Sequence, residues 1–513
     1  MARITIGDED FRKLMATRGR ALLSLASYLS ERKSPREILT RPLLGELLSK
    51  SAQVEEFLDA YGARNNRRWC MFRLLTATLK LFSDVGYELL HIQHALPAYR
   101  LLPIEQDFTK ATEQALMFTG DVLLRAGAQM AGQAHQLGLA IPAEKQSEEA
   151  YTECLPPGRL PHDRATHQID AVSKTVTMLA TAFLNLAAES KWVHAAGRAR
   201  SEEYGSYIPN IISEESLRNI QLRFHNLQSL YDTYVSETET ENLDADLPVL
   251  RGHISVVYHL LKTAKSFAHY YERHVKKKSE DLSACQEWLV NTDALLAMLM
   301  NYSVSFVSQH LSCAQRLCQI MLKRYAEVGQ IEVSVPHYRG FHVRPSTLVS
   351  RLVLHYGSDV RMELDGEQYD ASSPLELFRA NEKMNAQKRR WLAAEIMRLA
   401  LVPKDEEGGH INDIIRSVVL TLAERSKLIL YEQPLQLAED ITRKEGTLLE
   451  QVIDEIAQLL AIGKIDVDAD LKANFIGDKR VLADIKLLAE HRYGEDNFGN
   501  NIPLPEGLEY LRR

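Results

Sequence analysis

The chain has 513 residues, of which 45% are hydrophobic and 25% are charged, and its formal net charge is −8 at pH 7. This composition is that of a globular protein with room for about two to four domains, and the acidic balance gives no reason to expect general affinity for nucleic acid. No run of residues approaches the ~20 consecutive apolar residues that a membrane-spanning helix needs.

The first residues and the cysteines both bear on the cellular compartment. The opening segment MARITIGDEDFRK has acidic residues where a secretory signal needs an apolar run. The five cysteines are scattered and form no Cys-x-x-Cys pair, which is typical of free thiols in a reducing compartment. We therefore expect a cytoplasmic protein without a membrane span.

Residues 1 to about 328 are predicted to be almost entirely helical. Several segments carry apolar residues at heptad spacing, for example Val172, Val176, Leu179, Phe183 and Leu186. Such stripes indicate long helices that pack at shallow angles. No internal repeat of fixed period is present, so the sequence favours an irregular helical bundle over a repeat solenoid.

The helical region shows few signs of enzyme chemistry. Glu88 and His91 have the Glu-x-x-His spacing of metal-binding bundles, which need a second such pair on a facing helix. The other match, Glu407 with His410, lies in a glycine loop. Because neither pair has a convincing set of further ligands, we expect no metal site and no cofactor. The sequence also lacks a P-loop, so an ATP-using P-loop kinase is not expected.

The stretch from Ile331 to Glu382 alternates between strand and helix patterns. Apolar and polar residues alternate from Ile331 to Val335, which predicts a strand. A helix is predicted to start at His342, with Pro345 in the first turn, where an N–H has no intrahelical partner. Two further strands are predicted on either side of Asp365-Gly366, which is a strong hairpin signal.

His342 is the candidate reactive residue of this stretch. The free N–H groups and the dipole at a helix N-terminus favour negative charge. Arg344, two residues on, can add a bidentate contact to phosphate oxygens. A neutral imidazole is a competent nucleophile near pH 7, so the site could hold a phosphoryl group on His342. The alternative is a surface histidine that only caps a helix.

The segment around His342 resembles a known motif. Gly340-Phe341-His342-Val343-Arg344-Pro345-Ser346-Thr347 is similar to the active-site motif of HPr, the histidine-containing phosphocarrier of the bacterial sugar phosphotransferase system, which reads Gly-(apolar)-His-x-Arg-Pro-(small)-(small). The resemblance implies that His342 is the phosphoacceptor and that Arg344 stabilises the phosphate. It further implies an enzyme I-like phosphoryl donor and supporting roles for Gly340, Pro345, Ser346 and Thr347. It covers residues 331–382, about fifty of the 513.

Ser373 has two interpretations. Many members of the HPr family carry a regulatory serine seven residues after the hairpin glycine, and Ser373 is at that distance from Gly366. The sequence Ser373-Pro374-Leu375-Glu376 also has the form of a capping box, which by itself explains a serine at a helix start. The two interpretations are compatible, and both stay open at this point.

The chain departs from the family pattern after Glu382. The family continues with a fourth strand and a final helix, whereas residues 383–401 and 411–425 are both predicted to be helical. The next candidate for the fourth strand is Lys427 to Glu432, and the candidate for the final helix is Thr447 to Leu460. Another helix is predicted near Arg480 to Glu490. The apolar residues of the last segment suggest that it docks on the body; they are Ile502, Leu504, Leu508 and Tyr510.

We therefore predict a multidomain α protein with an α+β part. It consists of a helical bundle at residues 1–328, an HPr-like open-faced antiparallel sheet with helices and a helical insertion at 329–465, and a C-terminal helix with a docked tail at 466–513. The predicted function is a histidine phosphoacceptor, phosphocarrier or phosphorylation-dependent regulator, which carries a phosphoryl group and does not turn over a small molecule. The alternative is a protein–protein interaction scaffold that keeps the HPr fold without phosphotransfer.

Overall fold

The computed structural model describes residues 5–142, 148–153, 160, 172–276, 288–403, 410–432, 435–437, 446–467 and 471–512. The chain divides into two units, Met1–Cys318 and Gln319–Arg513, so the second unit begins before the predicted boundary at residue 328. None of the helices in these ranges has both the length and the apolar composition needed to cross a bilayer. Glu407, the acidic member of one Glu-x-x-His match, lies outside the described residues.

The first unit is helical, and its described residues contain no strand. Short π-helical segments follow two of its helices, at Tyr271–Val275 and Met298–Val304. The α-helices are α1 Asp8–Arg18, α2 Arg20–Ser30, α3 Arg41–Ala60, α4 Cys70–Ala95, α5 Phe108–Gln136, α6 Val172–Glu189, α7 Lys191–Ala196, α8 Tyr204–Tyr207, α9 Glu214–Tyr234, α10 Glu239–Leu243, α11 Asp246–Tyr270, α12 Thr292–Ala297 and α13 Ser305–Arg324, the last of which continues past Cys318 into the second unit.

Two glycines of α5 allow this long helix to approach its neighbours closely. A Cβ atom on Gly127 would lie 2.6 Å from the Cβ of Leu29 in α2. A Cβ atom on Gly120 would lie 2.6 Å from the Cβ of Pro35. Both distances are too short for real side chains, so the packing of α5 here requires residues without a Cβ.

The second unit contains every strand of the described chain. Its elements are β1 Val328–Ser334, α14 Val343–Tyr356, β2 Arg361–Leu364, β3 Glu367–Asp370, α15 Pro374–Arg398, α16 Ile411–Glu424, β4 Leu428–Leu430, α17 Leu448–Ala461, β5 Ile465–Val467, β6 Lys472–Asp478 and α18 Lys479–Glu490. β2 and β3 are joined by the predicted Asp365-Gly366 turn, in which both residues have positive φ angles.

The main sheet of the second unit is antiparallel throughout, with the strand order β1-β6-β2-β3. Phe475 of the central strand β6 lies opposite Ile331 on one side and Met362 on the other. The ring of Phe341 packs edge-on against Phe475, with 6.1 Å between the ring centroids, and both rings are fully buried. The residue next to His342 is therefore anchored in the core of this sheet.

The part of the chain between β3 and β6 forms a second, smaller core. β4 pairs with β5 in a separate two-stranded antiparallel sheet. The C-terminal half of α15 packs with α16, α17 and these two strands around buried apolar residues that include Ile396, Ile415, Leu422, Val452 and Ile456. The residues from the middle of α15 to β5 thus form an insertion with a core of its own.

The predicted fourth strand and final helix of the main sheet are wrong. Lys427–Glu432 contains β4 of the small sheet, and Thr447–Leu460 corresponds to α17, which packs in the small core. The fourth strand of the main sheet is β6, and the helix after it is α18. The predicted domain boundary at residue 465 falls at the start of β5. The segment LILYE has a stronger apolar strand pattern than KANFIGD, because LILYE begins with four apolar residues in a row whereas β6 contains a glycine, which lets Val360 approach.

The helical predictions after Pro374 also need one correction. The short helix headed by Ser373 and the separate helix predicted at residues 383–401 are a single helix, α15, which runs from Pro374 to Arg398. No glycine or proline interrupts the sequence after Pro374, so nothing ends the first part of the helix before the second begins.

Candidate functional site

The loop between β1 and α14 places His342 immediately before the first residue of the helix. His342 is the N-cap of α14, with an extended backbone conformation, and Pro345 lies in the first helical turn. Arg339 and Gly340 both have positive φ angles, 56° and 63°, which turn the chain from the strand into the helix. A Cβ atom on Gly340 would lie 2.2 Å from the side-chain oxygen of Asn381, so this position requires glycine twice over.

Asn381 of α15 holds the loop in this conformation. Its side-chain oxygen accepts a hydrogen bond from the backbone N–H of Phe341 at 2.9 Å, and its side-chain nitrogen donates to the carbonyl of Arg339 at 3.1 Å. Asn381 is buried, with 8% of its surface exposed. No sequence pattern marks this residue, although it lies within residues 331–382.

One nitrogen of the His342 ring is hydrogen-bonded, and the other faces a carboxylate. Nδ1 lies 3.1 Å from the carbonyl oxygen of Gly340, and Nε2 lies 3.2 Å from Oε1 of Glu495. The ring of Tyr338 packs edge-on against the imidazole, with 5.4 Å between centroids. The side chain of His342 keeps 23% of its surface exposed, so the histidine is accessible only in part.

Arg344 and His342 share the carboxylate of Glu495. The Nε atom of Arg344 lies 3.7 Å from Glu495 Oε1, and Nη1 donates a hydrogen bond to the side-chain oxygen of Asn501. Glu495 is 4% exposed, and its other oxygen, Oε2, has no hydrogen-bond partner among the described residues. A buried carboxylate therefore lies between the imidazole and the guanidinium group.

The hydroxyls of Ser346 and Thr347 are engaged by the backbone. Ser346 is fully buried and donates to the carbonyl of Phe341 at 2.7 Å, and Thr347 donates to the carbonyl of Val343 at 2.6 Å. The N–H of Ser346 donates to the carbonyl of His342. The amides of the first turn that helix geometry leaves without an intrahelical acceptor are those of Val343 and Arg344, since Pro345 has no N–H.

Ser373 is the N-cap of α15. Its hydroxyl accepts a hydrogen bond from the N–H of Glu376 at 3.4 Å. In a capping box the carboxylate of Glu376 would also accept from the N–H of Ser373. Here it accepts from Arg379 Nη1 at 2.7 Å. The serine is half-buried, so the cap explains its presence without any regulatory role.

A cleft of about 220 Å³ opens beside His342. Its walls come from the His342 loop, from α15 and from the insertion, and the lining residues are Arg339, His342, Val343, Phe378, Asn381, Glu382, Asn385, Leu460, Ala461, Ile465 and Asp466. Asp466 forms a buried ion pair with Lys388, at 2.7 Å. The insertion thus adds a wall to the surroundings of His342.

Glu88, the acidic member of the Glu-x-x-His pattern in the first unit, contacts His259 and Lys262. Oε2 of Glu88 accepts from His259 Nδ1 at 2.6 Å, and Oε1 accepts from Lys262. Burial alone would raise the pKa of Glu88, but these two partners outweigh it and hold the pKa below its ordinary value. Burial, aided by the nearby His259, lowers the pKa of His91 to about 4. No group of three or more potential metal ligands occurs among the described residues.

The C-terminal segment supplies two site residues that no sequence pattern indicates, Glu495 and Asn501. Glu495 and Asn501 form an isolated antiparallel bridge with each other, and the flanking Tyr493 and Leu504 are buried. Docking of this segment was expected from its apolar residues, and Leu508 and Tyr510 are also buried. No local pattern in DNFGNN indicates a contact with a histidine so distant in sequence.

Comparison of the chain with protein-family models, with curated proteins and with solved structures gives no match. The assignment of a role to His342 therefore depends on the residues of the motif and on their geometry.

Proposed function

We propose that the second unit is a histidine phosphoacceptor, in which His342 takes a phosphoryl group from an enzyme I-like protein donor and passes it on, or holds it as a regulatory signal. The observation that carries this proposal is the buried carboxylate of Glu495 between His342 Nε2 and Arg344 Nε. A site that stabilises a buried anion beside an imidazole is suited to another anion in place of that carboxylate. Arginine matches phosphate oxygens in the same way as carboxylate oxygens.

The transfer needs no cofactor in this proposal. The lone pair of one nitrogen of neutral His342 forms the new N–P bond while the P–N bond of the donor phosphohistidine breaks. The donor imidazole leaves with the electron pair of that bond, and each ring keeps the proton on its other nitrogen. Arg344 and the first-turn amides then face the phosphoryl group, which carries up to two negative charges at pH 7.

The order of elements around the motif supports the same proposal. With the insertion set aside, the second unit reads strand, helix, hairpin strands, helix, strand and helix, and the four strands form one antiparallel sheet. This is the order that the resemblance to HPr implies. His342 precedes the first of these helices, where the phosphoacceptor of the family is expected.

A scaffold without phosphotransfer is the second candidate, and one observation favours it. Both nitrogens of His342 face hydrogen-bond acceptors, a carbonyl and a carboxylate. In this arrangement His342 and Arg344 hold the C-terminal segment against the loop, which is a structural role. The Gly-Phe-His-Val-Arg-Pro sequence would then be retained for folding alone.

Phosphorylation of the full chain separates the two candidates. The protein is incubated with enzyme I-type donors and phosphoenolpyruvate, and the adduct is located by mass spectrometry at neutral pH. We expect a single acid-labile, alkali-stable phosphoryl group on His342, lost in His342→Ala and weakened in Arg344→Ala. His337→Ala is the matched control, since this exposed histidine lies in the same loop. Absence of label from several donors, in a folded protein, would favour the scaffold.

A further inference from the structure

The nine residues from Gly494 to Ile502, which we call the tail loop, place Glu495 beside Nε2 of His342. The loop closes on itself through the Glu495–Asn501 bridge, with the N–H of Ile502 donating to the carbonyl of Gly494 at 3.0 Å and the N–H of Asp496 donating to that of Asn500 at 2.9 Å. Buried residues on both sides, Tyr493 and Leu504, attach its ends to the body. The loop is therefore a closed unit whose two ends are attached to the body.

The contacts of His342 leave no ring nitrogen free to attack phosphorus. If the ring proton is on Nδ1, it is donated to Gly340, and the lone pair of Nε2 faces the carboxylate of Glu495. If the proton is on Nε2, the lone pair of Nδ1 faces the Gly340 carbonyl. In either tautomer an oxygen atom lies beside the nitrogen that carries the lone pair, where phosphorus would have to approach.

Glu495 also occupies the place that a phosphoryl group needs. Its Oε1 atom is 3.2 Å from the ring nitrogen and 3.7 Å from Arg344, so it uses both groups on which the proposed function depends. An incoming phosphoryl group is negatively charged and would meet this carboxylate in a site with little water, where like charges repel strongly. Neither Oε2 of Glu495 nor Nε of Arg344 has a hydrogen-bond partner among the described residues, so charge holds this carboxylate beside the guanidinium.

We propose that the tail loop is an intramolecular inhibitor of the site, in which the carboxylate of Glu495 stands in for the phosphoryl group until the loop is displaced. The inference rests on the proposed function and adds its regulation. Displacement of Glu495 frees His342 Nε2 and Arg344 together. Asn501, which accepts from the Arg344 guanidinium, is the second contact that keeps the loop closed.

The same contacts fit the opposite role for Glu495, and an experiment can distinguish the two roles. A carboxylate on Nε2 could instead orient the ring and fix its tautomer for attack by Nδ1, as a positioning residue. In that case removal of the charge slows phosphorylation. The inhibitory role requires that removal of the charge speeds it.

The test compares the full-length protein with Glu495→Gln, Asn501→Ala and the control Glu506→Gln, an exposed acidic residue of the same segment. Two rates are measured on His342: phosphorylation by enzyme I and phosphoenolpyruvate, and carbethoxylation by diethyl pyrocarbonate, which reacts with a free, unprotonated ring nitrogen. We expect both rates to rise about tenfold in Glu495→Gln, because one charged contact on the ring is lost. The rise in Asn501→Ala should be smaller. Glu506→Gln should match the wild type.

The two rates distinguish a failure of this inference from a failure of the proposed function. If carbethoxylation is faster in Glu495→Gln but no variant is phosphorylated, the loop covers His342 and the phosphoacceptor function is wrong. If the wild type is phosphorylated and Glu495→Gln is equally fast or slower, the inhibitory role is wrong while the function stands. Carbethoxylation that is unchanged in Glu495→Gln also overturns the inhibitory role, whether or not any donor is found.

Discussion

Replacement of Gly340 by alanine should destabilise the second unit through two separate effects. At φ of 63° an alanine is in the left-handed region, which costs about 1–2 kcal/mol. The new Cβ atom would lie 2.2 Å from the side-chain oxygen of Asn381 and would displace it. Loss of that acceptor leaves the N–H of Phe341 buried and unpaired, which costs about 1–3 kcal/mol more. We expect a total destabilisation of about 2–5 kcal/mol.

Gly366→Ala is the matched control for this effect. Gly366 also has a positive φ, 77°, but nothing lies within 4 Å of a Cβ atom built on it. It should therefore show the backbone strain alone, about 1–2 kcal/mol. The measurement is the free energy of opening of main-sheet amides by hydrogen exchange, since the first unit would obscure a global unfolding curve. Equal destabilisation by the two substitutions would refute the role given to Asn381.

Three further results are expected. Ser373→Ala should cost about 0.5–2 kcal/mol and Ser373→Asp should keep the cap; altered labelling of His342 in the stable Asp variant would reveal regulation beyond capping. Truncation after Ile465 removes the central strand β6, so hydrogen exchange should show no protected main-sheet amides, and persistent protection would contradict the strand order. Burial lowers the pKa of His253 to about 4 and of His310 to about 3. Because the unfolded chain takes up these protons near pH 6.5, the first unit should lose about 1.4 kcal/mol per pH unit per histidine as pH falls from 6.5 towards 4. Urea unfolding at pH 7, 6 and 5 measures this loss, and a pH-independent midpoint would be inconsistent with it.

The parts of the second unit that local patterns determine could be predicted from the sequence. The alternation before Gly340 indicates β1, and the Asp365-Gly366 turn joins β2 to β3 as predicted. The proline in the first turn of α14 limits where that helix can start, which places His342 at its N-cap. Each of these features depends on residues only a few positions apart.

The parts that depend on distant contacts could not be predicted in this way. β6 pairs with two strands that precede it by more than a hundred residues, and its sequence has a weaker apolar pattern than the strand that was chosen in its place. Asn381 looks like any polar residue of an amphipathic helix until its contact with Phe341 is known. Glu495 is one acid among 69 Asp and Glu residues, and only the folded chain brings it to His342.

Elements outside residues 331–382 also line the surroundings of His342. The stretch itself supplies the imidazole, the guanidinium and the helix N-terminus, which are the groups that the proposed chemistry uses. The cleft wall at Leu460 and Asp466 comes from the insertion, and the carboxylate on the ring comes from the tail loop. In our proposal the motif therefore determines the reaction, whereas the insertion and the tail determine access to it. A donor that phosphorylates a free-standing HPr protein must also displace Glu495 here, so Glu495→Gln should widen the range of donors that label His342 and should not merely raise the rate with one of them.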